Sequence, residues 1–151
     1  MSSPKLLRGR VSLVNSFYSI TTVTVGRRPI FADPRNVELL VEALRHCEDA
    51  GVSHSLAWVV MPDHLHWLLQ LRAGTLSGCL QRLKSRSGRH IRQQLSVDGG
   101  IWQAGFHDHA IRGDASLRGV ASYLLQNPVR AGLCELPQEY PYSWCRWGRR
   151  L

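Results

Sequence analysis

The chain has 151 residues, 44% of them hydrophobic, with 19 basic against 11 acidic side chains and a formal net charge of +8. That length suits one buried core and excludes a disordered chain; no run approaches the ~20 apolar residues of a membrane helix, and Met1-Ser2-Ser3-Pro4-Lys5 lacks a signal-peptide pattern, so a cytoplasmic protein is expected. Every basic residue except Lys5 and Lys84 is arginine, whose planar fork binds phosphate bidentately and stacks on bases, so composition points first to nucleic acid.

Residues 1 to 10, with Lys5, Arg8 and Arg10, read as a loose basic arm. The β-branched and aromatic run from Phe17 to Val25 predicts the first strand, closed by Gly26-Arg27-Arg28-Pro29. Asp33 as N-cap and Pro34 in the first helical position open a helix over 34 to 50, with Val37, Leu40, Val41, Leu44 and Cys47 on its apolar stripe. His54 to Met61 and His64 to Leu71 predict two strands joined through Pro62-Asp63, a tight hairpin because proline cannot donate to a ladder.

Thr75 caps a second predicted helix, 76 to 95, with Leu76, Leu80, Leu83, Ile91 and Leu95 turned inward. At 100° per residue Arg82, Arg86, Arg89 and Arg92 fall on the opposite face and make a basic ridge. A fourth strand is expected over Phe106 to Arg112. A third helix opens at Asp114 or Ser116 and should end just after Asn127, because Pro128 disfavours the α conformation before it. The tail carries Trp144, Arg146, Arg149 and Arg150.

The order β-α-β-β-α-β-α predicts an α+β fold of the ferredoxin-like, split β-α-β (RRM-like) plan: an antiparallel sheet, helices on one face, and a further C-terminal helix. One domain spans residues 1 to 151.

Within the longest apolar run, His64 and His66 share one face of their strand while Leu65, Trp67, Leu69 and Leu71 share the other. Neutral imidazole is the commonest protein ligand for divalent metals, so two side by side suggest a cation site. Cys47, Cys79, Cys134 and Cys145 show no C-x-x-C spacing and offer neither a zinc knuckle nor a disulfide framework. A second pair, His107 and His109, competes but has no third ligand or nucleophile beside it in sequence. Asn127 offers an amide oxygen and Tyr123, four residues earlier, a phenol. Such a set suits phosphodiester cleavage, with a polarised phosphate and a phenolate attacking in line.

Three blocks, Val60-Met61-Pro62-Asp63-His64-Leu65-His66, Trp102-Gln103-Ala104-Gly105-Phe106-His107-Asp108, and the run from Tyr123 to Leu133, closely resemble the REP-associated tyrosine transposases. These are single-tyrosine HUH transposases of the IS200-like kind. The resemblance implies an endonuclease and strand transferase acting on single-stranded DNA that folds as hairpins, such as repetitive extragenic palindromes. It implies Tyr123 as nucleophile, forming a 5′-phosphotyrosine, and a divalent cation, Mg²⁺ or Mn²⁺, held by His64, His66 and Asn127. Arg82, Arg86, Arg89, Arg92, Arg130, Arg146, Arg149 and Arg150 would follow phosphates and Trp102 would stack bases. Monomer and homodimer both stay open. Two rivals are a non-catalytic RRM-like RNA- or DNA-binding module and a His-liganded metal hydrolase, for which Asp63 is the only nearby carboxylate.

Overall fold

The computed structural model describes residues 12–112 and 116–148. The basic arm with Lys5, Arg8 and Arg10, the alternative helix start at Asp114, and Arg149 and Arg150 lie outside the described residues. In chain order the elements are β1 (Phe17–Val23), α1 (Pro34–Asp49), β2 (Ser53–Met61), β3 (His64–Leu71), α2 (Leu76–Leu95), β4 (His107–Ile111), α3 (Leu117–Leu125), α4 (Asn127–Arg130) and β5 (Ser143–Cys145), with three short 3-10 turns between them.

Local chemistry sets the helix starts. The Asp33 carboxylate accepts from the Arg35 amide at 3.0 Å, the Thr75 hydroxyl from the Gly78 amide at 3.0 Å, and the Ser116 hydroxyl from the Gly119 amide at 3.1 Å. Each satisfies an amide that the first helical turn leaves without a partner, a contribution of about 1 kcal/mol.

The strands form one antiparallel sheet in the order β4-β1-β3-β2-β5. β3 lies between β1 and β2, as the split β-α-β plan requires. On one face Ile20, Leu65, Trp67, Leu69 and Leu71 pack with Leu40 and Leu44 of α1 and Leu80 and Leu83 of α2. On the other face Val59, Met61 and Leu68 pack with Ala121, Leu124 and Leu125 of α3 and with Tyr140. So α1 and α2 cover one side of the sheet, and α3 lies across the opposite side. Burying a side chain such as Leu124 contributes roughly 1.5–3 kcal/mol, which holds α3 on the strand face that also carries His64 and His66. Tyr140 fastens the segment after α4 by donating its hydroxyl to the Val60 carbonyl at 2.7 Å.

Three details differ from the sequence expectation, the smallest being that Leu95, expected to face inward, is exposed in the last turn of α2. The third helix ends at Leu125, and Asn127 begins the separate short α4. Tyr123 and Asn127 therefore sit on consecutive helical segments, because Pro128 cannot supply the amide hydrogen that would continue α3. The short strand β5 pairs with β2 from Ala57 to Val59 and stacks Trp144 on Trp58, ring centroids 6.2 Å apart. Three residues are too few for an alternating pattern to show in sequence.

Candidate catalytic site

His64 and His66 open β3 beside the Pro62-Asp63 turn, opposite Val23 and Thr21 of β1. Their Nε2 atoms approach to 3.1 Å, and each Nδ1 meets an oxygen: Asp63 Oδ1 for His64 at 2.6 Å, Thr21 Oγ1 for His66 at 3.0 Å. Such partners fix ring orientation and tautomer in histidines that bind metals. With protons on both Nδ1 atoms, two bare Nε2 lone pairs face each other. That arrangement is repulsive unless a cation or a shared proton lies between them. Burial first, then the His64 charge and the Arg130 guanidinium, hold His66 down to about 4, so it is neutral and available as a ligand at neutral pH. The donor set therefore fits a divalent cation.

Asp63 is anchored from two sides. Burial alone would raise its pKa, yet hydrogen bonding and charge from His64 and Arg27 outweigh that and leave it below the usual carboxylate range. Arg27 Nη1 donates to Asp63 Oδ2 at 3.2 Å. A carboxylate bonded in this way orients His64 instead of acting as a free base, which weighs against the hydrolase reading.

Tyr123 is 69% exposed at the end of α3. The Arg130 guanidinium lies over its ring, 4.1 Å from the centroid, and Arg130 Nη2 donates to the Tyr123 carbonyl at 3.0 Å. Because the same arginine bears on His66, the phenol and the imidazole pair share one electrostatic neighbourhood. Asn127 Nδ2 donates to the Leu124 carbonyl at 2.8 Å, so Oδ1 is its remaining polar end. Among the described residues no group of three or more His, Cys, Asp and Glu side chains could hold a metal; any third protein ligand must be of another type.

The second histidine pair stands on the same sheet face. His107 pairs with Thr21 and His109 with Ser19, residues that pair on their other side with His66 and Leu68. Both imidazoles are exposed, and β1 separates them from β3.

The expected DNA contacts divide. Arg89 and Arg92 border an open groove of about 780 Å³ between α2 and the loop Gly100–Phe106, together with Gln81, Lys84 and Trp102. Arg86 is tied to Glu42 of α1, with Nε donating to Oε1 at 2.7 Å. Arg82 is exposed near the buried Cys47 and Cys79. Arg146 pairs with Glu48 at 3.0 Å and donates to the Ser55 carbonyl at 2.8 Å. Trp102 is half-buried: its indole donates to Ser87 Oγ at 3.0 Å and its ring leans on Phe31.

Three functional neighbours escaped the sequence reading. Thr21 reaches His66 only through strand register, whereas Asp63, which orients His64, directly precedes it in sequence. Lys84 Nζ donates to the Gln103 and Gly105 carbonyls, and burial draws it down to about 8. Only its being one of two lysines in an arginine-rich chain could have singled it out.

Residues 12–127 match the family described as "Transposase IS200 like". The REP-associated tyrosine transposase of Escherichia coli (strain K12) is 34% identical over 90 residues, covering 58% of this chain and 51% of that protein. A Haemophilus influenzae relative of the same REP-associated type is 31% identical over 100 residues, covering 59% and 57%. The chain thus spans about half the length of the curated relatives it matches. A solved REP-associated tyrosine transposase bound to a REP hairpin superposes with a TM-score of 0.76 at 24% identity, covering 95% of this chain and 82% of that one. That likeness concerns the fold.

Proposed function

Because the chain belongs to the IS200-like transposase family, we propose that it cuts and rejoins single-stranded DNA at hairpin-forming sequences, with Tyr123 as the nucleophile. The observation that carries the reading is the convergence of His64 Nε2 and His66 Nε2 to 3.1 Å on the sheet face where α3 holds an exposed tyrosine under Arg130.

Each residue has a task in this reaction. Tyr123 attacks the phosphorus of the scissile linkage, giving a 5′-phosphotyrosine and a free 3′-hydroxyl. Arg130 fixes the ring and sets positive charge beside the incoming phosphate. His64 and His66 would hold a divalent cation, Mg²⁺ or Mn²⁺, with Asn127 Oδ1 as a third ligand, and Asp63 and Thr21 keep the imidazoles aimed. When bound, such a cation supplies charge that polarises a non-bridging phosphate oxygen. The reverse attack by another strand's 3′-hydroxyl rejoins DNA, and the bond energy is conserved in the adduct.

A hairpin substrate of the repetitive extragenic palindrome kind is supported by the two curated relatives named for REP association. Arg89, Arg92, Lys84 and the groove beside Trp102 suit a single strand by charge and size. An RNA-binding module would want aromatic rings on the open sheet face. Here β1 offers Ser19, Thr21 and Val23 on that face, and Phe17 packs against the α3 core. The test is incubation with labelled single-stranded hairpin DNA and Mn²⁺ followed by a denaturing gel. A covalent protein–DNA band supports the reading; cleavage products with no such band at any time point refute the tyrosine intermediate.

A further inference from the structure

The pair His107 and His109 stands on the catalytic face without a role in the reaction as described. α3 packs chiefly on β2 and less on β3, so at this end the half of the face formed by β1 and β4 is open. Its residues are Ser19, Thr21 and Val23, half-buried, and His107 and His109, exposed. Asp108 alternates to the other face, so no carboxylate of β1 or β4 lies on this one. The result is an open half-face of hydroxyls and imidazoles, bordered by α3 on the β2 side and by the edge strand β4 on the other.

In-line displacement puts the nucleophile and the leaving oxygen on opposite sides of phosphorus. Tyr123 approaches from the α3 side, above β2 and β3. With the phosphate over the β3 imidazoles, the leaving 3′-oxygen must face β1 and β4. His107 is the imidazole there: it shares the cross-strand row of Thr21 and His66, two strand spacings or about 10 Å from His66 between backbones, a gap that two side chains and a phosphate fill.

We propose that His107 is the general acid that protonates the leaving 3′-oxygen, an inference that rests on the tyrosine-transferase reading above. As the bond from phosphorus to the Tyr123 oxygen forms, the bond from phosphorus to the 3′-oxygen breaks. The phenol proton leaves to solvent, to which Tyr123 is open, and the imidazolium proton of His107 passes to the 3′-oxygen. The products are the 5′-phosphotyrosine, a 3′-hydroxyl and a neutral imidazole. In the reverse direction the neutral imidazole takes the proton from an attacking 3′-hydroxyl, so one residue serves cleavage and rejoining. His109, one row away opposite Ser19, is placed to contact the neighbouring phosphate of the departing strand.

The test compares His107→Ala with the unaltered chain on two hairpin substrates, one natural and one with sulfur replacing the scissile 3′-oxygen. A thiolate departs without a proton. His107→Ala should slow single-turnover cleavage of the natural substrate on the order of 100-fold, cut the sulfur substrate within about 3-fold of the unaltered rate, and bind both hairpins normally. The exposed position on an edge strand makes a folding defect unexpected, and unchanged hairpin affinity checks it. An equal slowing on both substrates, or none on either, overturns the assignment while leaving Tyr123 in place. Failure of the unaltered chain to form an adduct with either substrate overturns the transferase reading and this one with it.

Discussion

The Arg130 guanidinium lies 4.1 Å from the centre of the Tyr123 ring and donates to the carbonyl of the same residue. One side chain thus clamps the tyrosine at both ring and backbone across the break between α3 and α4. Tyr123→Phe keeps the ring and the clamp but removes the attacking oxygen. It should abolish the covalent adduct while hairpin affinity stays within about 2-fold, because no lost contact to DNA is expected. Arg130→Ala should retain some adduct, with the rate lower by roughly 2- to 30-fold, the equivalent of a cation–π contact of about 0.5–2 kcal/mol. Single-turnover gels of the two variants decide this: a Tyr123→Phe protein that still forms the adduct removes Tyr123 from the chemistry.

The Nδ1 partners of the histidine pair give a second expectation. Asp63→Asn and Thr21→Val leave His64 and His66 in place but loosen the oxygens that orient them. Loss of such partners typically weakens metal binding about 10- to 100-fold. Titration calorimetry with Mn²⁺ should therefore show weaker binding in each variant and none in a His64→Ala, His66→Ala double variant. Equal Mn²⁺ affinity in all four proteins would remove the cation from this site.

How much of this was legible beforehand follows from the range of the signals involved. The β3 run, with its apolar residues at 65, 67, 69 and 71, announced its own strand and which face the histidines take. Caps at Asp33 and Thr75, and Ser116 as one of two starts offered for the third helix, announced the helices, because capping is a contact between residues two or three apart. Contacts across the fold gave no such signal. Arg86 falls on an acid-free ridge of its own helix, yet its partner Glu42 stands on α1, and nothing within α2 reports it. Thr21 looks like any alternating strand residue until the register puts it opposite His66. Leu68 on the histidine face of β3, with Val59 and Met61 of β2, belongs to a second core that α3 covers, and that pairing of helix with face is a contact across the fold.

Lys84 predicts a pH dependence of stability. Burial lowers its folded pKa from 10.5 to about 8, so the folded state holds fewer protons than the unfolded one between those values. Stability must rise with pH wherever the unfolded state binds more protons. The penalty of the buried ammonium is thus fully present below about pH 8 and relieved toward pH 10. Chemical denaturation at pH 7, 8, 9 and 10 should show a rise in this range that is lost in Lys84→Met, the comparison cancelling the other titrating groups. A Lys84→Met protein with the same pH profile would mean the ammonium is solvated.

Arginines of one helix should behave differently according to where their guanidinium groups are spent. Arg89 and Arg92 border the groove beside Trp102, whereas Arg86 is bonded to Glu42. Each single-strand phosphate contact adds about 0.7 to the slope of log affinity against log salt. An Arg89→Gln, Arg92→Gln variant should bind hairpin DNA more weakly and lower that slope by about 1.4, the sum of two such contacts. Arg86→Gln should leave the slope unchanged and lower stability only slightly, the ordinary yield of a partly exposed ion pair. Fluorescence anisotropy across a salt series reads the slopes. If Arg86→Gln flattens the slope as much as the double variant does, the DNA follows the outer side of α2 and not the groove.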